Sequence, residues 1–246
     1  MIVRDSFGYL VTRLGVGILG IAVVSLCSRF ATPDTYGQYA VAFANAQGLS
    51  AIGFGWLGTY ILRMLPEAGA ARTRLLSTIL IFQGTLTLLM LGVAVIAFSI
   101  GWSQGQNAGP GIAGIACLGA FVALFNTSIC LSRAQRRILS FSIKSFARIL
   151  LFGIVGVLLL HWNFGVFALT FSAIISFFLS SVIYIAADFG GVALSKFSSD
   201  TLRDILRFGI PLMISAGLMW VVDSCDRIIV YYYLGAKSAG DRKSHV

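Results

Sequence analysis

Apolar stretches, each near the length of a membrane-spanning helix, alternate along this chain with short polar connections. A window of about 19 residues places seven helices near 10–31, 37–60, 77–100, 111–132, 145–161, 165–187 and 208–233. Aromatic residues mark several of their ends: Trp56 and Tyr60, Trp102, Trp162, and the run Tyr231, Tyr232 and Tyr233. That is the belt formed where amphipathic rings meet lipid headgroups. The second stretch is the least apolar, carrying Gln38, Asn45, Gln47, Ser50 and several glycines. A helix of this kind turns one face toward protein or water, which makes Asn45 and Gln47 candidate lining residues.

Composition agrees with the pattern. The chain is 58% hydrophobic and 11% charged, with a mean hydropathy of +0.90. These values lie outside the soluble range and specify an all-α, polytopic membrane helix bundle of about seven transmembrane helices. The net charge of +9 does not point to nucleic acid, because the basic residues sit between apolar runs instead of forming one face. Cys27, Cys117, Cys130 and Cys225 are widely spaced and lie in or beside apolar segments, so neither a disulfide framework nor a metal site is expected. Arg4 and Arg13 ahead of an apolar run resemble a secretory signal, but further spans follow and Ala31-Thr32-Pro33 is a poor cleavage site. The segment reads as a retained first helix.

Basic residues orient the bundle. Arg4, Arg13, Arg63, Arg72, Arg74, Arg133, Arg136, Arg137, Lys144, Arg148, Lys196, Arg203 and Arg207 fall on one side. Only Arg29 and Lys237 oppose them, apart from Arg227 within the seventh span and the final six residues. The positive-inside rule then puts the N-terminus in the cytoplasm. Ahead of the seventh span, Ser199 or Asp200 can cap a short helix with Leu202, Ile205 and Leu206 on one face and Arg203 and Arg207 on another. Such a helix is expected along the inner surface, either as an anchor or as a mobile coupling element, with Pro211 kinking the span or marking its first turn.

Candidate chemistry is concentrated in charge at membrane depth. The seventh span contains Asp223, Asp226 and Arg227, and a charge at the centre of a bilayer costs roughly 2.5–3.5 kcal/mol on insertion scales. On a helix the trio lies along one side, one turn after Trp220. It reads either as a helix-to-helix ion pair or as the lining of a pathway. The arginine beside Asp223 and Asp226 favours ionised pairs over a shared proton. No HExxH, GxSxG or Walker lysine occurs, and the two histidines are His161 in a turn and His245 in the tail. The pattern therefore points to moving or binding something, not transforming it, and no cofactor is expected. Arg13, Arg29 and Arg227 are candidates for gripping an anion such as phosphate, whose oxygens match a guanidinium fork; Arg13 and Arg29 read equally as interfacial anchors. Gln83, Asn126 and Thr127 are further candidates for a hydrophilic lining or for interhelical glue.

Several segments in order resemble a known family. They are RFATPDTYGQYAVA (29–42), ILRMLPE (61–67), SRAQRRILSFSIKSFARIL (132–150) and LRFGIPLMISAGLMWVVDSCDRIIVYYYLGAKSAG (206–240). Together they are similar to the polysaccharide transporter, or oligosaccharide flippase, family (O-antigen flippase-like) of the multidrug/oligosaccharidyl-lipid/polysaccharide exporter superfamily. The resemblance implies two six-helix lobes around a central cavity and 12–14 helices in all. It implies alternating access that flips a polyprenyl-diphosphate-linked oligosaccharide to the outer leaflet for polysaccharide or O-antigen biosynthesis. It further implies a multi-pass protein of the bacterial inner membrane whose partners are the lipid-linked oligosaccharide and membrane lipids, with polysaccharide polymerase and glycosyltransferases alongside and no nucleic acid. On this reading Arg13, Arg29, Arg227, Asn45 and Gln47 bind substrate, while Asp223 and Asp226 balance charge or couple an ion.

The chain departs from that pattern in having about seven spans. The expectation is a fragment: residues 1–190 as an N-terminal six-helix lobe, 191–240 as an interfacial helix plus the first helix of a second lobe, and 241–246 as a non-native tail. Competing readings are a cation-coupled drug or metabolite exporter on the same architecture, a membrane-embedded glycan polymerase or ligase, and a non-transporting scaffold. The exporter predicts an acidic residue inside the first lobe, and spans one to six carry none near mid-depth. The glycan enzyme predicts a large external loop with arginine or histidine, and the external loops here are short.

Overall fold

The computed structural model describes residues 2–103, 108–188 and 196–241, and no strand occurs among the described residues. The helices are α1 (Ile2–Phe30), α2 (Pro33–Ser50), α3 (Trp56–Met64), α4 (Arg72–Ser103), α5 (Ala108–Ala134), α6 (Ile138–His161), α7 (Ala168–Asp188) and α8 (Ser199–Asp241). A π-helical turn, Ala51–Gly55, joins α2 to α3 without a break in helical backbone. Among the described residues the eight helices therefore make seven rods, matching the apolar stretches of the sequence. Among the described residues five segments are long and apolar enough to cross a membrane: Phe7–Phe30, Gly69–Gly101, Gly111–Ala134, Ile138–His161 and Ser199–Asp223. The protein is a multi-pass membrane protein.

Local sequence explains where the rods begin and end. Thr32 caps α2 by accepting a 3.3 Å hydrogen bond from the Thr35 backbone amide, with Pro33 in the first turn and Asp34 beside the positive end of the helix. After α5 the chain reverses through Arg136, whose φ of 57° is left-handed. The Arg137 amide donates to the Ser132 carbonyl at 2.9 Å and the Arg136 amide to Arg133 at 3.0 Å, the paired bonds of a Schellman stop. Asn163, at φ 53°, ends α6 the same way, the Phe164 amide reaching Leu159 at 3.0 Å.

Two features differ from expectation. The fifth rod starts at Ile138, not near 145, so Lys144 joins the helix and Arg148 moves from its first turn to ten residues inside it. The amphipathic segment from Ser199 and the seventh span are one helix, with Pro211 inside it. In hydrocarbon a broken helix would expose backbone groups that nothing can satisfy, which favours running helix straight through a proline. Residues 189–195, at the expected unit boundary, and 242–246 of the expected tail lie outside the described residues.

Small residues set the packing. A side chain at Gly153 of α6 would press on Val23 of α1, one at Gly156 on Cys27 and Ser172, and one at Gly119 of α5 on the Ala46 carbonyl of α2. Close backbone approach of this kind replaces the water-driven hydrophobic effect, which is absent between helices in lipid. One core joins α1, α2, α5, α6 and α7 around Val23, Cys27, Val122, Phe152, Leu169 and Phe177. A second joins α3, α4, the end of α5 and α8 around Trp56, Leu57, Ile61, Leu76, Ile79 and Ile205. Helix α8 lies along the α2–α3 rod through reciprocal tryptophan–glycine contacts. Trp220 of α8 fills the space above Gly48 and donates a 2.9 Å hydrogen bond from Nε1 to the Ala44 carbonyl, while Trp56 of α3 fills the space above Gly209.

Candidate functional site

Helix α6 carries two cations one turn apart on the same side, Lys144 and Arg148. Lys144 is fully buried, and its Nζ donates to Ser128 Oγ at 2.7 Å, Ser132 Oγ at 2.8 Å and the Ser128 carbonyl at 3.4 Å. Those hydroxyls come from α5, so this cation ties α5 to α6. Its role is architectural.

Arg148 is placed differently. Ten residues into this 24-residue apolar helix, it stands about 15 Å from the α6 start at 1.5 Å per residue, near the midpoint of a rod long enough to cross a hydrocarbon core about 30 Å thick. Its guanidinium carbon lies 5.0 Å from the Phe177 ring centroid and 5.6 Å from that of Phe125. Among the described residues it makes no ion pair; two ring faces lie against the charge, and Tyr39 interacts with it electrostatically. Cation–π contacts contribute about 0.5–2 kcal/mol each. That offsets the insertion cost of an arginine at mid-depth but supplies no hydrogen-bond acceptor for its fork.

Arg148 lines an open-sided cavity of about 430 Å³ bounded by α1, α2, α5, α6 and α7. Gly20 gives one wall; Gln47, Asn126 and Arg148 supply polar groups. The remaining wall is aromatic, with Val23, Val24 and Ile149 between the rings. Tyr39 stacks on Phe43 at 5.7 Å and on Phe152 at 5.5 Å between centroids, and Phe177 meets Phe125 edge-on at 5.4 Å. Each ring comes from a face already packed into the first core, so the cavity has a rigid frame. Asn126 Nδ2 reaches Ser50 Oγ at 3.5 Å. A positive, partly aromatic, open-sided cavity at membrane depth has the chemistry to hold an anion joined to a body with both polar and apolar faces.

Of the residues singled out from sequence, Gln47 lines this cavity and Asn126 joins it. Asn45 turns its Nδ2 back to the Val41 carbonyl of its own helix at 2.9 Å. Gln83 and Thr127 pair with one another across α4 and α5 at 3.1 Å. Arg13 and Arg29 are both exposed on α1. Sixteen residues apart, they are separated by about 24 Å of helix, too far to grip one diphosphate together. Asp223 is exposed on α8, and the side chains of Asp226 and Arg227 lie outside the described residues.

Sequence reasoning missed Arg148 and the aromatic wall. The signal was the length of the fifth span: 145–161 holds 17 residues, short of the ~20 a bilayer requires. Extending it toward its N-terminus carries Arg148 from the interface to mid-depth. A family model described as polysaccharide biosynthesis protein matches residues 26–241. No curated protein and no solved structure matches the chain.

Proposed function

The chain belongs to the polysaccharide biosynthesis protein family, and from that premise we propose that it flips a lipid-linked oligosaccharide across the cytoplasmic membrane, holding the anionic head at Arg148. The observation that carries this reading is Arg148, which lines a cavity midway along α6, with aromatic faces for partners and no ion pair among the described residues. A polyprenyl diphosphate presents oxygens that match the guanidinium fork. Sugar rings next to it have apolar faces for Tyr39 and Phe43 and hydroxyls for Gln47 and Asn126. The polyprenyl tail stays in the bilayer, and the open side of the cavity leaves room for the rest of the glycan.

The N-terminus is cytoplasmic on this reading, so α6 rises from the donor side with Arg148 half-way to the other leaflet. Arg13 and Arg29 then act at the two faces of the membrane as successive stations for the diphosphate. Asp223, Asp226 and Arg227 balance charge or couple an ion along α8. Nothing in the transfer needs a bond to break, in keeping with the lack of catalytic motifs in the sequence.

The test is a vesicle assay following delivery of a fluorescent polyprenyl-diphosphate glycan to the opposite leaflet. Arg148→Gln should abolish delivery and Arg148→Lys should restore part of it, because an ammonium keeps the charge but not the fork. Undiminished delivery by Arg148→Gln would refute the assignment.

A further inference from the structure

On another flank of the bundle, α4, α5 and α7 part to leave an apolar cavity of about 520 Å³, with Val95, Phe98, Gly114, Cys117, Thr170 and Phe171 among its walls. It lies at the C-terminal end of α4 and the N-terminal ends of α5 and α7, away from the arginine-rich connections. It is separate from the Arg148 cavity. Phe121 and Phe178, with centroids 5.0 Å apart, and then Phe125 and Phe177 close the seam between α5 and α7 beyond it. Helix α8 packs on α2, the π-helical turn and α3, and meets α4 near Leu75, Leu76 and Ile79 at its opposite end, so among the described residues it leaves this flank uncovered.

The surrounding surface decides the occupant. Leu88, Leu89, Val93 and Ile96 of α4 and Phe178 and Val182 of α7 are 41–70% exposed. In a membrane protein such a surface meets hydrocarbon. Water finds no partners in an apolar cavity, and an empty one forfeits the dispersion contacts of its whole lining. The volume falls within the range of roughly 300–1,000 Å³ common for ligand sites. We propose that this cavity is a binding site for one acyl chain of a membrane phospholipid, taken from the leaflet into which the N-terminal ends of α5 and α7 project.

Gly114 makes the site testable. A Cβ built there meets only the Thr170 methyl, Cγ2, at 3.5 Å, an ordinary contact, so the first carbon of a side chain fits without disturbing the helices. The whole chain is reconstituted in nanodiscs containing phosphatidylethanolamine with a diazirine midway along one acyl chain, irradiated, and mapped by peptide mass spectrometry. Adducts at the less exposed cavity residues Cys117, Thr170 and Ile174 should exceed those at lipid-facing Leu88 and Leu89 several-fold. Gly114→Leu, and independently Ala94→Leu, should remove that excess while leaving the Leu88 and Leu89 adducts unchanged. Adducts in the cavity no more frequent than at Leu88 and Leu89 would overturn the proposal. So would an excess that both substitutions leave in place, or labelling of the cavity by an isoprenyl diazirine but not by the phospholipid probe.

Discussion

Replacing Gly48 with alanine should loosen α8 from the α2–α3 rod. A Cβ at this position would fall within the indole of Trp220, against its Nε1, Cε2 and Cδ1 atoms, and a methyl group cannot be seated there unless the ring moves. Moving it breaks the 2.9 Å bond from Trp220 Nε1 to the Ala44 carbonyl. The lost bond contributes about 1 kcal/mol, and overpacking of a close helix contact costs about 1–3 kcal/mol. Together they come to roughly 2–4 kcal/mol, which for a chain of this size lowers the melting temperature by roughly 4–16 °C. The assay is thermal unfolding in one detergent, combined with a spin-label distance between α2 and α8. A double-mutant cycle gives the decisive comparison. In Trp220→Ala the space above residue 48 is vacant, so adding Gly48→Ala should cost little more, and the two effects should be clearly less than additive. Wild-type melting of Gly48→Ala, or strict additivity with Trp220→Ala, would refute the lock.

Other consequences follow from the same contacts. Arg136→Gly relieves a left-handed backbone that costs a side-chain-bearing residue about 1–2 kcal/mol; it should raise the melting temperature, and a fall would mean that the Arg136 side chain outweighs the turn. Lys144→Met should be tolerated to within about 1 kcal/mol, because a buried charge exchanged for an apolar chain of similar volume is often neutral and Ser132 Oγ already reaches the Ser128 carbonyl at 3.1 Å. Lys144→Ala instead opens a void between α5 and α6 and should cost about 2–4 kcal/mol. Equal melting temperatures for the two variants would contradict the architectural role given to Lys144.

The rods were legible in the sequence because a bilayer demands about 20 apolar residues per crossing, and that constraint overrides most local detail. The start of the fifth rod was not. Arg133, Arg136, Arg137 and Lys144 look like one basic loop that runs up to Arg148 at the foot of the span, and only the left-handed turn at Arg136 divides the five into a loop and a helix face. Once that turn is placed, Arg148 moves from topology marker to cavity residue. The aromatic wall had no linear signature: Tyr39, Phe125, Phe152 and Phe177 come from four helices and meet only through packing. The glycines of the second span read as weak hydrophobicity, yet Gly48 is required by a tryptophan from the far end of the chain. Asn45 and Gln47 looked equivalent, two residues apart, but a helix turns them through about 200°, so Gln47 faces the cavity while Asn45 bonds its own backbone.

The central claim is that Arg148 is an anion site at membrane depth, and equilibrium binding tests it most directly. A short-chain isoprenyl diphosphate is titrated calorimetrically into the protein in nanodiscs, wild type beside Arg148→Gln, with matched melting temperatures as the control for folding. Loss of a charged hydrogen bond of about 1.5–3 kcal/mol predicts that the variant binds roughly 10–150-fold more weakly. Equal affinity in a folded Arg148→Gln protein would contradict the account.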